Sequence, residues 1–105
     1  MTQADTPVMS ALAEINAVSL ERTNLSPASL ILVRLAALVA MDASPTSYLA
    51  HVGPAAEAGV TLEQAQDVLI AVAPIVGAPR ALAASEKIAE ALARAVDLTE
   101  TGPGI

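Results

Sequence analysis

Apolar positions in this chain recur every three or four residues, and no stretch alternates with the period of two that a half-buried strand needs. The whole ordered chain therefore reads as helix. Punctuation divides it into five, predicted over residues 6–21, 27–42, 45–58, 62–77 and 79–97. Thr6-Pro7, Ser26-Pro27 and Ser44-Pro45 each set a hydroxyl N-cap before a proline at the first helical position. Thr61-Leu62-Glu63-Gln64 has the form of a capping box, with Thr61 capping and Gln64 reaching back.

In the first helix Val8, Leu12, Ile15 and Val18 form one inward stripe. The second, with Leu30, Ile31, Leu32, Val33, Leu35, Leu38 and Val39, is apolar nearly all round, which predicts a central, buried element. The third stops at Gly59, and Pro54 within it predicts a kink or break, because its nitrogen cannot donate to the Ala50 carbonyl. The fourth turns Ala65, Val68, Leu69 and Val72 inward, with Pro74 and Gly77 bending or ending it. The fifth turns Leu82, Ile88 or Ala89, Leu92 and Val96 inward, and residues 98–105 are expected to form a flexible tail. The expected architecture is all-α: one compact bundle of about five helices joined by short turns.

Composition sharpens this picture. Hydrophobic residues make up 54% of the 105 and charged residues 15%, while Phe, Trp and Cys are absent. Alanine-rich helices with so few charges present broad apolar faces, larger than a monomer usually leaves to water. A homo-oligomer is expected, with alanine as a plain surface helix former the alternative. The absence of cysteine excludes disulfides, thiolate metal sites and redox-active thiol pairs. A formal net charge of −6 repels a phosphate backbone, so no nucleic-acid partner is expected. The apolar charge-free run Val68 to Pro79 is far short of the roughly 20 residues of a membrane span. Met1 to Val8 has neither the cation nor the apolar core of a signal peptide, which leaves the cytoplasm as the expected location.

Candidate chemistry is sparse. His51 is the single histidine, and imidazole is the side chain that moves protons near neutrality. Ser44, Ser47 and His51 fall on one helix face as S-x-x-S-x-x-x-H, with Tyr48 beside them. An activated serine would also need a carboxylate to orient the histidine, and none is placed locally. Ser44 has the simpler task of N-cap, and the alternative for His51 is a hydrogen-bonded core or interface residue. Arg34 interrupts an apolar helix, so it must meet a carboxylate of this chain, a partner subunit or an anionic ligand. Arg80, at the start of the fifth helix, opposes the macrodipole and is either placed to meet an anion or simply solvated. No metal site is expected from one histidine with no acid spaced beside it, and no cofactor loop is present.

Several segments in order resemble the carboxymuconolactone decarboxylase family and its alkyl hydroperoxidase D-like relatives. They are LVRLAALVAM (Leu32–Met41), His51, the helix end at Ala58-Gly59, Gly59–Gln64, and VLIAVAPIVGAPRAL (Val68–Leu82). The resemblance spans roughly Leu25 to Leu92. It implies an all-α fold that assembles as dimers, trimers or hexamers. The peroxidase branch carries C-x-x-C-x-x-x-H with a glutamate on the preceding helix. Here Ser44 and Ser47 stand at the thiol positions, His51 stands at the histidine, and no acid precedes Asp42 on that helix. Thiol peroxidase chemistry is thereby excluded.

The decarboxylase branch needs no thiol and implies a cofactor-free lyase or isomerase acting on a small organic anion. His51 would transfer the proton, and Arg34 and Arg80 are candidate carboxylate anchors, with Tyr48, Ser44 and Ser47 lining the site. The competing expectation is a non-catalytic oligomeric module of the same fold that binds a small molecule or scaffolds. The first requires a pocket beside His51 with an arginine in reach. The second requires Arg34 closed by a carboxylate.

Overall fold

The computed structural model describes residues 5–100, and five helices run through them: α1 (Asp5–Arg22), α2 (Pro27–Ala40), α3 (Pro45–Glu57), α4 (Leu62–Val76) and α5 (Ala78–Glu100). Three of the expected caps are in place. The Ser26 and Ser44 side chains accept from the Ser29 and Ser47 amides at 3.2 and 3.3 Å. Thr61 accepts from the Gln64 amide at 3.1 Å while the Gln64 side chain accepts from the Thr61 amide at 2.9 Å, completing the capping box. Thr6-Pro7 does not cap, because α1 already begins at Asp5 and places both inside its first turn.

Neither proline breaks its helix, and the fourth helix ends at Gly77 as expected. The helical assignment of α3 passes through Pro54 and that of α4 through Pro74 without a break. Each proline removes one amide donor, and the turns on either side hold the helix. Gly59, at φ +78°, follows α3 as expected, with the Val60 amide donating back to the Ala55 carbonyl. Gly77, at φ +94° and ψ 151°, joins two helices directly: its amide closes α4 on Ala73 and its carbonyl opens α5 by accepting from Ala81. At the end of α2 a non-glycine takes the left-handed position. Asp42 has φ +54°, and the Ala43 amide donates to the Leu38 carbonyl at 3.0 Å. The tail prediction is corrected in part, because 98–100 continue α5, while 101–105 lie outside the described residues.

Helices α2 to α5 pack together, α2 touching each of the other three. The core is small: Val39 of α2, Tyr48 of α3, and Ala84 and Ala91 of α5 are buried. The two alanines lie seven residues apart on one face of α5, so its backbone comes close to α2 and α3. That corrects the expected inward stripe. Leu82 and Val96 are exposed, since α5 turns its small residues inward and its larger ones partly outward. The burial of α2 is likewise partial: Ile31 and Val39 are buried and Val33 is 55% exposed.

α1 departs furthest from expectation. It packs on no other helix, and its predicted inward residues Val8, Leu12, Ile15 and Val18 are all exposed. The radius of gyration, 15.0 Å, exceeds the ~13 Å usual for a chain of this length, as a projecting helix requires. No helix among the described residues is long and apolar enough to cross a membrane.

Candidate functional site

Helix α3 places Tyr48 and His51 one turn apart. The Ser44 cap fixes where this helix begins and therefore which way both side chains face. They help to line an apolar cavity of about 200 Å³ between α2, α3, the start of α4 and α5. Ile31 and Leu35 of α2 and Ile88 and Leu92 of α5 supply much of its wall. The expected pocket beside His51 is therefore present.

His51 is partly buried, and its Nδ1 lies 2.8 Å from the carbonyl oxygen of Ser47. A carbonyl only accepts, so Nδ1 carries the hydrogen. In the neutral ring this leaves Nε2 as a lone-pair acceptor. The main chain one turn back thus sets the tautomer, a task usually given to a carboxylate.

Tyr48 is 4% exposed, and its hydroxyl is shielded from water without a hydrogen-bond partner. Burial pushes its pKa above the ordinary 10.0, and the charge of Asp42 adds to the effect. The phenol is therefore a neutral donor at physiological pH. Thr61 is the third polar side chain on the lining, and its oxygen accepts in the α4 cap.

The two serines do not serve His51 through their hydroxyls. Ser44 accepts from the Ser47 amide, and the two side-chain oxygens lie 3.4 Å apart. A serine–histidine nucleophile has no geometric support here.

The arginines are not brought to the cavity. Arg34 donates from Nη1 to Asn16 Oδ1 at 2.6 Å and from Nη2 to Ser19 Oγ at 3.0 Å, both on α1. Its partners are neutral oxygens, where a carboxylate, a partner subunit or an anion was expected. Arg80 donates to the Ala40 carbonyl at 2.8 Å, at the C-terminal end of α2. A cation there favours the α2 dipole, which offsets its unfavourable place at the start of α5. Both contacts join elements distant in sequence, so no local pattern announced them.

Lys87 and Asp42 were missed altogether as a pair. Lys87 Nζ lies 2.8 Å from Asp42 Oδ1. The hydrogen bond and the charge of Lys87 hold the Asp42 pKa below 3.8. Among the described residues no group of three or more His, Cys, Asp or Glu side chains is placed to hold a metal ion. The model of the carboxymuconolactone decarboxylase family matches residues 6–91. No curated relative and no solved structure matches the chain.

Proposed function

The chain belongs to the carboxymuconolactone decarboxylase family, and from that premise we propose a cofactor-free lyase or isomerase in which His51 accepts a proton from a small organic molecule held in the α2–α5 cavity. The observation that carries this reading is the 2.8 Å contact from His51 Nδ1 to the Ser47 carbonyl, which leaves Nε2 as a base on a residue that lines a half-open apolar pocket. As a substrate C–H loses its proton to His51, charge grows on the adjoining carbonyl oxygen. The proton then returns from His51 to the same or another carbon, or to a leaving group. Arg34 and Arg80 have no part in this reaction.

A second reading keeps the fold and drops the chemistry: an oligomeric module that binds or scaffolds. The exposed apolar stripe of α1 favours assembly under either reading. Neither reading meets its arginine expectation: Arg34 lacks the carboxylate that the scaffold reading required, and no arginine lines the cavity as the enzymatic reading required.

Exchange of a substrate C–H for deuterium separates the two without knowledge of the final product. Small lactones and ketones are incubated with the protein in deuterated water and followed by proton NMR. The enzymatic reading expects exchange that disappears in His51→Ala while helix content and particle mass stay unchanged. Equal exchange in the variant, or none with the native chain, rejects it.

A further inference from the structure

We infer that the His51 cavity selects an uncharged, largely apolar carbonyl compound of roughly six to ten non-hydrogen atoms and rejects the corresponding carboxylate. This rests on reading the cavity as the binding site, and departs from the organic anion that the sequence predicted. Size comes first. An apolar cavity of about 150 Å³ takes benzene, so about 200 Å³ suits a slightly larger ring or short chain.

Charge comes next. No Lys, Arg, Asp or Glu lines the cavity. The chain has five cations, and four are engaged elsewhere: Arg34 on α1, Arg80 on the end of α2, Lys87 on Asp42 and Arg94 on Glu90. The fifth, Arg22, ends the projecting α1. A carboxylate entering the cavity would lose its water and meet no lysine or arginine there. The net charge of −6 disfavours its approach as well.

Polarity fixes the rest. Thr61 only accepts in the α4 cap and keeps its O–H to donate, so the side-chain groups left for a ligand are the Thr61 hydroxyl and His51 Nε2. One donates and the other, in the neutral ring, accepts. A carbonyl oxygen meets the first, and an adjoining acidic C–H or a hydroxyl meets the second.

The test uses a matched pair: a γ-lactone carrying a methyl ester, and the same lactone as the free acid, ionised at pH 7. Tyr48 is the single aromatic residue, so tyrosine fluorescence reports from the cavity wall itself. The ester should bind, with the carboxylate roughly a hundredfold weaker. Ala55→Leu, which fills the cavity, should abolish binding with helix content unchanged. Carboxylate binding as tight as the ester, or no binding of either, overturns the inference. Ester binding without His51-dependent exchange leaves it standing and removes the catalytic reading alone.

Discussion

Arg34 reaches Asn16 at 2.6 Å across eighteen residues of sequence, and the same guanidinium bonds Ser19 one turn further along α1. Among the described residues these are the side-chain hydrogen bonds between α1 and the packed helices. Arg34→Ala should therefore free α1 while leaving the rest intact, at a cost of about 1 kcal/mol in this partly exposed setting. Amide exchange by mass spectrometry should show faster labelling in Asp5–Arg22 and no change in α3 or α5. Uniform acceleration across all five helices would show instead that Arg34 supports the core.

Tyr48→Phe removes a hydroxyl that is buried without a partner, so the ligand-free protein should gain about 1 kcal/mol in urea unfolding. A loss of stability would mean that the hydroxyl is already bonded.

Two groups give stability an opposite dependence on pH. The Asp42 carboxylate is favoured in the folded chain, so its contribution is present above the ordinary value of 3.8 and is lost as pH falls through the lowered folded value. Lys87→Met should flatten the acid limb of a plot of Tm against pH. The Tyr48 proton is favoured in the folded chain, so its contribution holds below 10.0 and is lost as pH rises through the raised folded value. Phenolate absorbance and loss of helix should accordingly appear together in an alkaline titration.

Gly77→Ala tests the α4–α5 junction. The added methyl would meet no atom closer than 3.9 Å, so the cost is the backbone conformation alone, about 1–3 kcal/mol at a φ of +94° and ψ of 151°. Thermal melting should fall with no change in mass or cavity binding. An unchanged Tm would show that the junction relaxes to another geometry.

The α1 stripe predicts assembly through that helix. Light scattering should give a mass above that of one chain for the native protein, and Leu12→Glu with Ile15→Glu should reduce it to one chain with helix content preserved. A native monomer at high dilution would end the proposal.

Helix starts were legible because a capping hydroxyl and the proline after it act within one turn, as at Ser26 and Ser44. Tyr48 and His51 share the cavity wall, but Ser44 and Ser47, expected beside them, are not on it. Less legible was which face packs. In α5 the eye follows leucine and valine, yet close approach selects Ala84 and Ala91. In α1 the stripe marks a burying surface, and the sequence cannot say whether its cover comes from the same chain. The partners of Arg34, Arg80 and Lys87 stayed hidden because each depends on the arrangement of helices far apart in sequence.

The end of α2 is finished by residues that come late. Its terminal carbonyl at Ala40 waits for Arg80, and the left-handed Asp42 waits for Lys87. During synthesis the ribosome must therefore deliver α5 as far as Lys87 before this corner is locked. Until then the turn from α2 into α3, and with it the orientation of the helix that carries His51, relies on its local hydrogen bonds alone.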